Sequence, residues 1–457
     1  MEKVIREPAR AVKVCHEADV VVVGGGPAGI AAAVAAARNG AKTVLLERYG
    51  HLGGLASGGL VTLIMPMSDG TDKAQIAGIC QEIVDRLDAA GAALHPKMED
   101  LGSNEARLVD FWRDYSFCVI DGKIRLSVFM DPEALKCVLN DMAEEAGVKL
   151  LFHSFVARAL TYKNVVHGVI FESKSGRQAV LGKIIIDTSG DGDVFASASA
   201  PFESARDPAA RSSRLALVFR IGNINPGKFF SFRKANPGAY GELMGELETR
   251  RGFTMFIRTA REDTIWVNNS IPDLNGLDIN DLTWLEVDGR KRMRITLDFI
   301  KKRLPGFEDS FIVDTASQIG VRCTRRLSGE HIVTAQELYS GVVFPDTIAM
   351  GPDFRHQFSP EHPHWHIPYH LLLPRRVKNM LVAGRCLSAD VVANDLLAPI
   401  QYCFATGQAA GTAAALAVKD KVNPAEVDIR KLQSSLSGQN VPLPDEIVKT
   451  LNQKVYN

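Results

Sequence analysis

The sequence predicts an α/β protein, in which a discontinuous parallel sheet with an attached β-meander carries an inserted α+β region. Three observations predict it. A β-α-β unit runs from Asp19 to Glu47 around a glycine-rich turn. A second helix-and-strand block follows at residues 130–187. A third short apolar strand, Met380–Ala383, leads into a long helix of small residues near the C-terminus.

Each element has a local reason. Val20–Val23 is β-branched with no polar interruption, as a strand covered on both faces should be. Ala28–Arg38 is alanine-rich and stops at Asn39-Gly40, and Thr43–Leu46 is the returning strand. The 18 residues Val20–Ala37 carry no charge and are long enough to suggest a membrane span. Gly24-Gly25-Gly26-Pro27 interrupts them, so strand, turn and helix account for them better. Residues 64–125 read as helices with polar loops, with helical spacing over Ala74–Ala90. Asp131-Pro132-Glu133 is a helix start, with Asp131 as cap and proline in the first turn, and Gly147 ends that helix. Val148–Phe152, Phe155–Thr161, Val166–Ser173 and Gln178–Ile186 read as strands joined by glycine-containing turns. Residues 201–344 are mixed, without a repeat. Pro399–Lys419 is the long helix, followed by a short one over Asp428–Leu436.

Composition limits the function. The chain has 457 residues, with 53 Lys plus Arg balanced by 53 Asp plus Glu. A phosphate-tracking nucleic-acid binder, or a protein drawn to anionic lipid, would lean basic. Hydrophobic residues at 46% and charged residues at 23% are ordinary globular usage, which excludes disorder as the main character. The seven cysteines are widely spaced with no C-x-x-C, against a disulfide framework, a zinc ribbon or an iron–sulfur cluster. The N-terminus shows no apolar signal core. The expectation is a cytoplasmic protein acting on a small molecule, with neither nucleic acid nor membrane as partner.

The chemistry begins at Gly24-x-Gly26-x-x-Gly29, between strand and helix. Gly24 permits the tight turn, Gly26 lets backbone approach a pyrophosphate, and Gly29 lets the helix pack close to the sheet. The helix N-terminus offers N–H groups and partial positive charge to phosphate. Glu47 ends the second strand, about 20 residues on, where a carboxylate accepts from ribose hydroxyls and disfavours the 2′-phosphate of NADP. A plain glycine turn is the competing reading; the register of strand, helix and terminal Glu favours a dinucleotide site.

Three more features turn this site toward FAD: Gly53-Gly54 soon after Glu47, inside Arg48-Tyr49-Gly50-His51-Leu52-Gly53-Gly54; the strand end Ile184-Ile185-Ile186-Asp187-Thr188-Ser189-Gly190-Asp191-Gly192-Asp193; and Met380-Leu381-Val382-Ala383-Gly384-Arg385 before the helix bearing Gly407-Gln408-Ala409-Ala410-Gly411. With these the sequence resembles the FAD-dependent oxidoreductases of the glutathione-reductase-type two-dinucleotide-fold group. Within it, the chain looks like a bacterial branch carrying VVVGGGPAGIAAA and a late LVAGRC…GQAAGTAAA block. The resemblance spans about residues 8–75, 130–200, 318–335 and 365–435.

It implies a Rossmann-like FAD-binding domain from residues 1–75, 130–200 and 375–430, a substrate or cap domain from 76–129 and 201–374, and a tail at 431–457. The cofactor contacts it implies are Gly24, Gly26, Pro27, Ala28, Gly29, Glu47, Arg48, Gly53, Gly54, Val156, Ser189, Gly190, Gly384, Arg385 and Gln401. In that family Gly53 and Gly54 pass beside pyrophosphate and ribityl, and Val156 pairs its backbone with adenine. Gly384-Arg385 approaches the ribityl chain, where many relatives have Asp instead of Arg385. The helix from Pro399 points its positive end at the flavin N1/O2 edge, where reduced flavin gathers negative charge.

Substrate chemistry has three candidate clusters. Arg322 and Arg325, in Gly320-Val321-Arg322-Cys323-Thr324-Arg325-Arg326, suit a carboxylate or phosphate; an ion-paired surface strand is the alternative. His362, His364 and His366 share a face if extended, which would serve a metal, a general base, or only a hydrogen-bonded loop. We assign no metal, and take His364 and His366 as acid–base candidates. Asn394 or Asp395 lies in the loop that passes the isoalloxazine in this fold; relatives often have histidine early in that loop, where this chain has Asp390-Val391. His51 sits where some flavoproteins attach FAD covalently; a simple hydrogen bond is the alternative. Cys386 near the flavin reads as packing or as a cofactor neighbour.

The resulting expectation is an FAD-dependent oxidoreductase that moves a hydride between a small polar molecule and flavin N5. An electron-transfer subunit with a redox partner, a flavin-dependent biosynthetic or modification enzyme, and a structural FAD binder stand as alternatives, and a homodimer is allowed.

Overall fold

The computed structural model describes residues 4–204, 214–354 and 364–453. Its central sheet has seven strands: β1 (Lys13–Val23), β2 (Thr43–Leu46), β3 (Lys149–Leu151), β4 (Phe155–Tyr162), β5 (Val165–Ser173), β6 (Gly176–Asp187) and β7 (Met380–Val382). The order is β3-β2-β1-β6-β5-β4, with β7 also on β6. The pairs β3–β2, β2–β1, β1–β6 and β6–β7 are parallel; β6–β5 and β5–β4 are antiparallel. Strand β6 thus joins two architectures. Its first half closes the meander with β5, and its last three residues pair with β7.

Period-2 alternation sorts the strand side chains onto two covered faces. Val20, Val22, Leu45, Ile184 and Ile186 enter one core. Val21, Val23, Val44, Ile185 and Met380 enter the other. The first core holds α1 (Pro27–Arg38) against the last long helix, Ile400–Asp420. These two helices cross at backbone contact: a Cβ on Gly407 would lie 2.1 Å from the oxygen of Ala28, and one on Gly411 2.1 Å from that of Ala32. This is why the C-terminal helix is written in small residues on several faces.

The predicted elements appear with small shifts. The first strand begins at Lys13, earlier than the apolar run suggests, because parallel pairing with β6 continues to Gln178 beyond a register shift near Val14. The helix predicted after Asp131 runs Pro132–Glu145, and the Asp131 carboxylate accepts from the N–H groups of Glu133 and Ala134.

Residues 64–125 differ from expectation. Besides helices Ile79–Ala89 and Ala106–Trp112, they contain two-residue strands too short to show a period, of which Ala93–Leu94 pairs with Val128–Met130 beside Leu63–Ile64. The helix expected from Ala74 starts only at Ile79. Gly78 has φ +61°, and the Gln408 carboxamide accepts from the Ile79 N–H at 2.9 Å.

The inserted α+β region is an antiparallel sheet in the order Met255–Arg258, Ile265–Asn268, Phe219–Gly222, Phe311–Thr315, with the 25-residue helix Ile279–Arg303. From its last strand the chain returns to the glycine-rich loop, where the Gln318 N–H donates to Gly58 O at 3.2 Å. No described helix is long and apolar enough to cross a membrane.

Candidate cofactor site

A cleft of about 870 Å³, its open mouth included, lies at the carboxyl ends of β1, β2, β6 and β7. Ligands of open α/β sheets bind at such strand ends. The backbone there is fixed by crowding. Gly24 has φ +98°, and a Cβ on Gly29 would lie 1.7 Å from its carbonyl oxygen, so the turn and the helix pack together only without side chains. Thr188 Oγ donates to the oxygens of Val23 and Gly24 at 2.8 and 2.9 Å, tying the turn to the end of β6. A Cβ on Gly26, by contrast, would meet nothing within 4 Å, and Gly26 lines the cleft. That open cradle, beside the N-terminus of α1, fits a pyrophosphate.

Glu47 is buried at the cleft wall. Burial pushes its carboxyl above the ordinary value, and it accepts from the N–H groups of Gly25 and Tyr49 at 2.5 and 2.8 Å. Part of its acceptor capacity therefore holds its own loop. Asp187, at the end of β6, is also fully buried; burial raises it, and it accepts from the N–H groups of Ser189, Val194 and Phe195 and from the Ser189 hydroxyl.

A charged lattice forms the far wall. Arg385 donates to Asp191 at 3.1 Å, and its guanidinium would lie 2.5 Å from a Cβ on Gly190. Arg325 donates to the Asp191 carbonyl at 2.8 Å and to the Asp193 carboxylate at 3.1 Å. Asp193 lines the cleft, and its carboxyl is pushed up to about 6 by burial first and then by Asp191 and Asp187. The Asn394 carboxamide donates to Arg385 O at 2.8 Å, bracing the end of β7.

Of the predicted cofactor residues, Gly24, Gly26, Pro27, Ala28, Glu47, Arg48, Gly54, Val156, Ser189, Gly190, Gly384 and Arg385 line the cleft. Gly29, Gly53 and Gln401 stand behind it. Gly53, with φ +95°, donates to Gly25 O. Gln401 is fully buried, and neither side-chain amide atom has a hydrogen-bond partner among the described residues. Tyr49, Ser154, Phe155, Asp193, Gln318, Ile400 and Cys403 also line the cleft; none was among the expected contacts, though Tyr49 and Asp193 lie inside the glycine-bearing segments that pointed to FAD. Arg48 lies over the Tyr49 ring at 5.0 Å.

None of the five substrate-chemistry candidates lines this cleft. Arg325 and Asn394 brace its wall as described. His364 and His366 belong to the strand His364–Pro368, and extended geometry does put their rings together, with centroids 5.4 Å apart. His364 Nδ1 lies 3.2 Å from Asp69 Oδ2, and His366 Nδ1 lies 3.1 Å from Val342 O. Burial raises the Asp69 carboxyl, but hydrogen bonds from His364 and Thr71 outweigh it and leave it below the ordinary value. Arg322 lies just after the short strand Gly320–Val321. His362 lies outside the described residues. Among the described residues, no group of three or more His, Cys, Asp or Glu side chains is placed to hold a metal.

His51 stacks on Tyr49 at 5.6 Å and lies 3.3 Å from the Ser317 hydroxyl, outside the cleft lining. Burial pulls it below its ordinary value. Cys386 is fully buried and its thiol is raised by burial, as a packing residue's would be.

A strand-end cleft with a glycine cradle, a terminal Glu and a helix N-terminus defines an α/β enzyme that binds a dinucleotide. The family is then given by the sequence as a whole: the FAD dependent oxidoreductase model matches residues 19–436, and the chain belongs to that family. Its cofactor is FAD. No curated protein matches the chain. Solved structures similar to it include a geranylgeranyl bacteriochlorophyll reductase-like protein from Thermoplasma acidophilum, at 13% identity and TM-score 0.44, over 96% of this chain and 97% of that one. A p-nitrophenol 4-monooxygenase from Pseudomonas putida aligns at 12% identity and TM-score 0.46, over 96% and 93%. A myxobacterial chondrochloren halogenase aligns at 12% and 0.46, over 92% and 78%. Likenesses this distant carry no activity across to this chain.

Proposed function

We propose that this FAD-dependent oxidoreductase transfers a hydride between a carbon of a small polar organic substrate and flavin N5. The observation that carries the reading is the continuity of the cleft. Its lining takes in Glu47, Ser154 and Val156 together with Gly26, Gly384, Gln318, Ile400 and Cys403. In this reading the adenine lies by Glu47 and Val156, and the flavin by Gln318, Ile400 and Cys403. FAD, when bound, supplies a two-electron acceptor or donor.

The chain's own residues have separable parts in this reading. Val156 presents backbone to adenine, and the free lone pairs of Glu47 accept from ribose. Gly24, Gly26 and Gly54 give the pyrophosphate its approach, helped by the N–H groups that open α1. Gly384 and Arg385 face the ribityl chain, with Arg385 held by Asp191 and its carbonyl by Asn394. The N-terminus of the helix Ile400–Asp420, with Gln401 in its first turn, places partial positive charge beside the flavin pyrimidine edge.

For the substrate, the His364–Asp69 pair suits proton transfer. The carboxylate fixes the ring, and His364, 28% exposed, is the more accessible of the two histidines. His366 buttresses it. Arg322 or Arg325 holds an anionic group of the substrate; Arg325 also donates to the Asp191 carbonyl and the Asp193 carboxylate.

The test is an anaerobic screen of polar metabolites and organic acids, read by bleaching of the visible flavin band. Bleaching by one of them supports the reading. Reduction by NADH alone, or only by a protein donor, would replace it with a nicotinamide-driven reductase or an electron-transfer subunit.

A further inference from the structure

Arg125 is 7% exposed; its Nε is fully buried without a hydrogen-bond partner, and its side chain pairs with no described carboxylate. It lies face-on to Gly70, whose φ is +90°; a Cβ there would be 2.6 Å from the centre of the guanidinium. Gly70 is the neighbour of Asp69, so the buried cation stands beside the His364–Asp69 pair. A guanidinium carries five N–H donors, and burying it without an acceptor is strongly unfavourable. Asp69, Asp121 and Asp353 are near enough to favour its charge, while burial opposes that charge more strongly. None of the three comes within 4.0 Å of it, and Asp69 is committed to His364, to the Thr71 N–H and to the Thr71 hydroxyl.

We propose that Arg125 is the substrate-anchoring arginine: it takes a carboxylate of a small organic acid in bidentate pairing, next to the His364–Asp69 pair. The proposal rests on the oxidoreductase reading above and names the class of its substrate. Three features support it. Planar guanidinium–carboxylate pairing satisfies two donors at once. The ligand's negative charge offsets the desolvation of the buried cation. His364 beside it is placed to exchange a proton with a carbon or hydroxyl near that carboxylate.

The experiment uses the FAD-loaded full chain and its Arg125→Met variant. Thermal unfolding is followed with acetate, malonate, succinate and benzoate, and with inorganic phosphate as the comparison anion. The variant is expected to melt at or above the wild-type temperature without ligand, because a cation whose burial outweighs its nearby carboxylates is gone. A carboxylate is expected to give the wild type a saturable rise in melting temperature, with at least about tenfold weaker response in the variant, roughly 1.4 kcal/mol. Arg125→Lys should recover only part of it.

A variant that melts well below wild type while keeping the carboxylate response would overturn the proposal, since Arg125 would then be structural. So would a wild type that responds to no carboxylate, or to phosphate alone. The FAD reading is checked separately, by the flavin-to-protein ratio of the same samples. A colourless wild type would count against the cofactor site and leave the anion assay readable.

Discussion

At Gly26 the structure leaves room where a side chain would start, and that room belongs to the cleft. Gly26→Val should fill it and weaken FAD binding by at least about 100-fold, roughly 2.8 kcal/mol. The check is the flavin content of the purified variant, and a yellow, stoichiometric protein would contradict the assignment. Asp193 gives a second prediction at this scale. Its carboxyl titrates at about 6 in the folded chain, against about 4 when unfolded. The fold binds this proton more tightly, so its stabilising contribution is complete below about pH 4 and is lost as pH rises through about 6. Asp193→Asn should flatten the unfolding free energy across that window in the apoprotein. It should also tighten FAD at neutral pH, because a negative charge is removed from a cleft that takes a pyrophosphate. Denaturant titrations and FAD titrations at several pH values measure both effects. The glycines of this site were legible in sequence because steric rules act within a few residues. Gln318 and Arg125 were not, and Asp193 was legible only as part of a glycine-bearing strand end, because burial and neighbours are set by chain segments far away in sequence.

At the scale of elements, the cofactor domain depends on two helices that meet without side chains between them. Gly411→Val would drive methyl groups into the backbone of Ala32. It should destabilise the protein by about 3 kcal/mol, measured by urea unfolding, since overpacking against backbone has little room to relax. The strands of the central sheet were readable because buried parallel strands are uninterrupted apolar runs. Their pairing was not, and neither were the two-residue strands around Val128–Met130, which carry no periodic pattern. The His364–Pro368 strand shows both sides of this. Alternation correctly put His364 and His366 on one face, but local sequence held no sign that Asp69 would meet the first or that neither would line the cleft.

Across the whole molecule, the zero net charge leaves no global field to draw an anion in. Selectivity must come from local groups, and three of the described arginines stand in two such places. Arg385 and Arg325 belong to the lattice with Asp191 and Asp193, while Arg125 is buried beside Asp69 and His364. The central sheet is assembled from residues 13–46, 149–187 and 380–382, and a four-stranded sheet is built from residues inserted between the last two. Just after the last strand of that insertion, Gln318 lines the cleft and its N–H donates to Gly58 O. The most direct test of the proposed chemistry is an anaerobic titration of the FAD-loaded protein with small organic acids, following the visible flavin band. One carboxylate-bearing compound is expected to bleach the band in wild type, and Arg125→Met, with full flavin content, is expected to need far more of it. Flavin that no small molecule reduces, or reduction that is unchanged in the variant, would contradict that chemistry.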